Sequence, residues 1–204
     1  WRQLKRIGLV WLVAYALHLP PAPVSQYFSA FTKLDWRAFY NVDVLHCISA
    51  TWLLLLLSVA LLRQERVLRW WLLAVALASS VLAPWIWSLT LSPPLAAPLA
   101  AYLNNRVGSL FPLFPWSGFM LAGALCASLY PATPAGGREG AVWPRLAGGA
   151  VVLITFGGLA PPLTWLPTGA SACWAADPRS FALRLGIVLV LLSACRACAQ
   201  RHQA

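Results

Sequence analysis

Six long apolar stretches divide the chain: Ile7 to Leu19, Val44 to Leu62, Val67 to Leu89, Phe111 to Tyr130, Leu146 to Leu166 and Phe181 to Ala194. Each approaches the roughly 20 residues that a helix needs to cross hydrocarbon, so the pattern predicts about six transmembrane helices. The first and last are short, and flanking Trp, Arg and Lys side chains must snorkel to the interface to complete them. The breaks between stretches alternate in character. Pro20 to Asn41, Ser92 to Leu110 and Pro167 to Ser180 are long and carry aromatic residues, proline and most of the uncommon polar groups. On the other side, "RQER" is a tight turn and "PATPAGGREGAVWPR" a flexible connection. Recognition or chemistry is expected on the long-loop side.

Composition turns this pattern into a class. Of 204 residues, 60% are hydrophobic and 10% charged, with a mean hydropathy of +0.71, whereas soluble domains carry about 25% charged residues. The expectation is an all-α, polytopic integral membrane bundle, residues 1–204 forming a single transmembrane domain. A formal charge of +10 would suggest nucleic acid in a soluble protein, but here topology accounts for it. With a cytoplasmic amino terminus, Arg2, Lys5, Arg6, Arg63, Arg66, Arg69, Arg138, Arg145, Arg196 and Arg201 lie inside, and Lys33, Arg37, Arg106, Arg179 and Arg184 outside. That is ten against five of the 15 basic residues, the bias that orients helices during insertion. Both termini are therefore expected in the cytoplasm, membrane lipid is the expected surrounding, and nucleic acid is not a partner. The first stretch ends in "HLPPAP" with no small-residue cleavage site, and the chain starts at Trp1, which reads as a fragment lacking upstream helices.

Several local patterns refine the bundle. In "SLFPLFPWSGFMLAGAL" the prolines fix an extended approach through an aromatic belt before a helix begins. Gly118, Ala122, Gly123 and Ala127 then form a small-residue stripe suited to close helix packing. The glycines of "ITFGGLAPPL" read as packing and flexibility sites. In "DPRSFALRLGIVLVLL", Asp177 is placed to cap a helix with Pro178 at its first position. Arg184 lies nearly two turns inside, and two readings stay open: snorkelling outward, or facing a wet cavity.

The polar candidates cluster at the outer mouth. Asp43, His46 and Cys47 share a helical face, and Asp43 reads equally as a helix cap or as part of a polar pocket with His46. His18, at the outer end of the first span, reads as an interfacial side chain sooner than as a catalyst, and Asn104, Asn105 and Arg106 as ligands for a sugar or an anion or as ordinary loop polarity. Cys195 and Cys198 form a CxxC with His202 four residues on, but a second ligand pair is missing and no metal site is expected. The five cysteines show no disulfide framework. Phosphate-cradling glycine loops, GxSxG elbows and HExxH motifs are absent from the sequence.

The order "WRQLKRIGLVWLV", "NVDVLHCISATWLLLLL", "SLFPLFPWSGFMLAGAL", "DPRSFALRLGIVLVLL" resembles the bacterial relatives of heparan-alpha-glucosaminide N-acetyltransferase, over most of the chain and most specifically in "FPLFPWSGFMLAGA". The resemblance implies a bacterial cytoplasmic-membrane acyltransferase. It would take an acyl group, acetyl above all, from cytoplasmic acetyl-CoA or another acyl-CoA to an extracytoplasmic saccharide, without a metal. The family's histidine for acetyl transfer precedes the segment resembling Arg2 to Leu19, so no catalytic residue carries over. His46, where the family more often has glutamine, is the weak candidate. An acceptor pocket of Asp43, His46, Asn105, Arg106, Trp116 and Arg184 is expected, with Arg2, Lys5, Arg6, Arg63 and Arg66 facing the phosphates of CoA. A homo-oligomer is left open. The rival readings are a transporter or lipid-handling protein, and a non-catalytic membrane remnant or subunit.

Overall fold

The computed structural model describes residues 1–20, 27, 38–90, 97–106, 108–129, 138–163, 167 and 174–201. Lys33, Arg37, Cys173 and His202 lie outside these residues. Every regular element described is helical: α1 Arg2–Leu17, a 3-10 turn Ala38–Tyr40, α2 Val44–Leu61, α3 Glu65–Val81, α4 Ala83–Ser88, α5 Ala97–Leu103, α6 Leu113–Leu129, α7 Arg138–Leu159 and α8 Pro178–Arg201. The six apolar stretches fall on α1, α2, α3 with α4, α6, α7 and α8. Three spans among the described residues, Val44–Leu61, Val142–Leu159 and Pro178–Ala199, are long and apolar enough to cross a membrane, and Leu113–Leu129 is a shorter apolar helix. Large apolar side chains such as Leu61, Val152 and Leu191 stand exposed on the helix surfaces, which hydrocarbon solvates and water does not. The chain is a helical membrane protein.

Two pairings organise the bundle. Antiparallel α3 and α6 bury Leu72, Ala76 and Leu121, with Leu55, Leu68 and Leu125 packed around them. At one end of this pair Arg69 donates to the Ser128 carbonyl at 2.7 Å, satisfying one of the acceptors that a helix C-terminus leaves open. The second pairing, α7 with α8, depends on close backbone approach. A Cβ on Gly157 would stand 2.6 Å from the Arg179 carbonyl, and one on Gly186 2.7 Å from Ile154, so these two glycines set the helix separation.

The small-residue stripe on α6 is only half a packing surface. A Cβ on Gly118 would collide with Ser79 Oγ, whereas Gly123 has nothing within 4 Å. Ala122 is buried, but Gly123 and Ala127 line a cavity. The stripe spans more than one side of the helix, which is why spacing alone overstates its contact. The proline approach is as expected: Phe114 is extended at φ −100°, ψ 120°, and its carbonyl accepts from Trp87 Nε1 at 2.8 Å. Asp177 caps α8 through Arg179 N–H at 2.8 Å, with Pro178 at the first helical position.

Candidate functional site

The residues before α2 are held before they reach the helix. Val42 N–H donates to Ser109 Oγ at 3.0 Å, and its carbonyl accepts from Leu110 and Phe111 at 3.1 and 3.2 Å. This fixes where Asp43 starts the helix. Its Oδ1 accepts from the Leu45 and His46 backbone amides at 2.9 and 3.1 Å, the bonds of an N-cap. The cap and pocket readings of Asp43 are therefore compatible, because the same carboxylate also holds an imidazole.

His46 Nδ1 lies 2.8 Å from Asp43 Oδ1 and 3.4 Å from the Asp43 backbone N–H. A carboxylate only accepts and a backbone amide only donates, so Nδ1 serves one or the other; the shorter contact makes it the donor. Its lone pair is then on Nε2, which is buried and has no hydrogen-bond partner in a residue of 0% exposure. Burial pushes the Asp43 carboxyl up, but the bonds from His46 and the charges of His46 and His18 outweigh it and hold it below its ordinary value.

Aromatic and polar side chains enclose this pair. The Tyr15 ring stands edge-on to His46 at 4.4 Å between centroids and the His18 ring at 5.3 Å. His18 Nδ1 lies 4.0 Å from Asp43 Oδ2. Tyr102, from α5, receives Trp11 Nε1 at 2.7 Å and shares a 3.2 Å hydrogen bond with Tyr15. Burial and then the Tyr15 contact push the Tyr102 phenol up, keeping it a neutral donor and acceptor.

The other expected acceptor ligands lie elsewhere. An apolar cavity of about 1000 Å3 is lined by Cys47, Thr51, Trp116, Phe119, Arg184 and Arg196, among others. It touches the side of α2 that does not carry His46. Arg184 stacks on Trp174 at 3.7 Å, lies 5.5 Å from Trp116, and keeps its Nη2 buried without a partner. It thus faces the cavity between two indoles. Arg106 donates from Nε to the Trp87 carbonyl at 2.9 Å and from Nη2 to the Ser88 carbonyl at 3.0 Å, tying down the C-terminal turn of α4. Asn105 beside it is exposed, while Asn104 is buried, accepting from Arg106 N–H at 3.1 Å. The six residues thus occupy three places.

Arg2, Lys5 and Arg6 begin α1, Arg63 and Arg66 flank the turn between α2 and α3, and all five are exposed. Because the end of α1 meets the start of α2 at His18, the two helices run antiparallel and these cations share the opposite end. Sequence reading overlooked Trp11, Tyr15, Phe39 and Tyr102. Tyr15 and His18 carry a legible signal in their three-residue spacing on one helical face, but Tyr102 arrives through tertiary packing.

Residues 2–159 match the family described as heparan-alpha-glucosaminide N-acetyltransferase, catalytic. No curated protein and no solved structure matches the chain. The matched region runs from α1 through α7 and includes His18, Asp43, His46 and Tyr102, so the chain belongs to the heparan-alpha-glucosaminide N-acetyltransferase catalytic family, whose function is of the acyltransferase type.

Proposed function

We propose that the chain is a membrane-bound acyltransferase that moves an acetyl group from cytoplasmic acetyl-CoA to an amino or hydroxyl group of an extracytoplasmic saccharide. The observation that carries this reading is His46, inside the family-matched region, with Nδ1 anchored on Asp43 and Nε2 unpartnered. This is the arrangement of a base oriented by a carboxylate. His46 Nε2 takes the proton of the acceptor N–H or O–H as that atom attacks the thioester carbonyl. The carbon–sulfur bond then breaks, and CoA leaves as a thiolate that receives the proton. Tyr15 and Tyr102 supply O–H donors nearby for the developing oxyanion. Tyr15 must swing aside to admit the acceptor, since its ring abuts His46.

The remaining roles follow from position. Arg2, Lys5, Arg6, Arg63 and Arg66 offer a cationic end to the phosphates of CoA. Trp116 and Arg184 suit a sugar, the indole covering an apolar ring face and the guanidinium bonding hydroxyls; Asn105 adds an exposed amide, and Arg106 positions the turn that carries it. The bundle crosses a bacterial cytoplasmic membrane six times with both termini inside. Purified full-length chain in proteoliposomes, given acetyl-CoA and glucosamine, should acetylate the amine, and His46→Ala should lower kcat by about 10²- to 10⁴-fold. Absence of transfer by the parent protein, or full transfer by His46→Ala, would refute the reading. The apolar cavity favours one rival, a lipid-handling protein, which lipid exchange between vesicles without acetyl transfer would support.

A further inference from the structure

The cluster at the start of α2 has free donor atoms beyond those a proton relay uses. Asp43 Oδ1 receives three groups, Leu45 N–H, His46 N–H and His46 Nδ1. Oδ2 is left facing His18 at 4.0 Å. His18 Nδ1 lies 2.9 Å from the Ala14 carbonyl, which only accepts, so Nδ1 carries the proton and Nε2 the lone pair. The Asp43 carboxylate thus lies 2.8 Å from His46 Nδ1 and 4.0 Å from His18 Nδ1, and an ion between the three side chains takes the place of the His46 Nδ1 proton, since a ligating nitrogen is deprotonated.

We propose that His18, Asp43 and His46 form a binding site for one divalent transition-metal ion of the zinc class. One ligand atom from each lies within 4.8 Å of the other two. The ring centres of His18 and His46 are 5.3 Å apart, matching the roughly 5 Å that two imidazoles adopt around a tetrahedral ion bound at about 2.1 Å. Two imidazoles and one carboxylate suit zinc or cobalt, whereas magnesium and calcium call for oxygen ligands. Loading draws the three donors together, and His18, half-buried at the end of α1, is the ligand with room to turn. Three protein ligands leave a fourth position for water. A cation on Nδ1 displaces the proton through which Asp43 orients His46 and draws electron density from the ring, so zinc inhibits acetylation; this consequence, unlike binding itself, rests on the acyltransferase reading.

The test is titration of chelator-treated full-length protein in detergent with Co²⁺ alone, followed by its visible absorption and by displacement with Zn²⁺. One Co²⁺ per chain is expected. His18→Ala and His46→Asn should each weaken binding by at least about tenfold, and Asp43→Asn by about 10- to 100-fold. Cys195→Ser/Cys198→Ser, which removes the thiol pair near the other end of α8, should leave binding unchanged. His18→Ala is the decisive variant, since it leaves the cap of α2 intact, and an unchanged thermal midpoint certifies its fold. Lack of Co²⁺ binding by the parent chain, equal binding by His18→Ala, or loss with the cysteine pair would overturn the site. Acetyl transfer by the chelated protein is a separate readout: its failure alongside Co²⁺ binding sinks the enzyme reading and leaves the metal site standing.

Discussion

One turn of α2 separates two unlike environments. On the side toward α1, His46 is enclosed by Asp43, His18, Tyr15 and Tyr102, whose polar atoms are mostly committed to one another. On the other side, Cys47 and Thr51 border a cavity of about 1000 Å3 walled by aromatic and aliphatic side chains. The first holds chemically reactive groups with no room, and the second holds room with almost no reactive groups. A bilayer helix can keep both because its own backbone is internally bonded, so each side is free to match whatever it faces. On the function proposed above, the first side carries proton transfer or metal binding, and the second accommodates a bulky apolar or sugar-like group.

Breaking the first side should have the largest effect. His46→Gln keeps an amide able to bond Asp43 but removes the base, and acetyl transfer should fall about 10²- to 10⁴-fold, roughly 3–5 kcal/mol in barrier. Cys47→Ala, one residue on, should leave kcat within a few-fold. Equal losses from the two substitutions would show that the division of α2 carries no functional meaning.

Helix packing tests the second side. A side chain at Gly186 collides with Ile154 at 2.7 Å and the Ala150 carbonyl at 2.9 Å, while Gly123 has nothing within 4 Å. Gly186→Leu should cost about 1–3 kcal/mol, read as a lower thermal midpoint in detergent. Gly123→Leu should leave the midpoint nearly unchanged and partly fill the cavity, raising the KM of whichever substrate lodges there. A stable Gly186→Leu protein would mean that α7 and α8 separate at little cost.

The same contrast explains what could be read in advance. That the six apolar stretches fold as helices was legible from their continuous apolar character, and the Asp43 and Asp177 caps because capping is local chemistry. The pairing of Asp43 with His46 was legible from helical spacing. The shared pocket was not, because the side chains at 43 and 46 turn toward α1, while Trp116 and Arg184 answer to α8 and the cavity. Arg106 looked like an anion ligand, but its donors satisfy carbonyls at the end of α4, a need invisible until α4 is seen to end there. Tyr102 approaches His46 through the fold of α5, which no local pattern encodes.

Asp43 itself separates capping from orientation. Asp43→Ala removes both and should destabilise the protein by about 0.5–2 kcal/mol. Asp43→Asn keeps a capping oxygen but replaces the carboxylate that orients Nδ1–H, so it should lower kcat with much less loss of thermal midpoint. If both variants lose stability and activity in proportion, the carboxylate acts on His46 only by keeping α2 folded.

The smallest expected effect concerns Arg184. Its guanidinium stacks on Trp174 and approaches Trp116, but Trp174 is exposed, so the stacking is worth about 0.5–1 kcal/mol. Arg184→Met retains an unbranched apolar side chain against the indoles and should shift the thermal midpoint only slightly. If the cavity takes a saccharide, losing the unpartnered Nη2 donor should raise the acceptor KM with kcat unchanged, since ground and transition states lose the same bond. An unchanged acceptor KM in Arg184→Met would restrict this arginine to packing between the two tryptophans and move acceptor binding to the other side of α2.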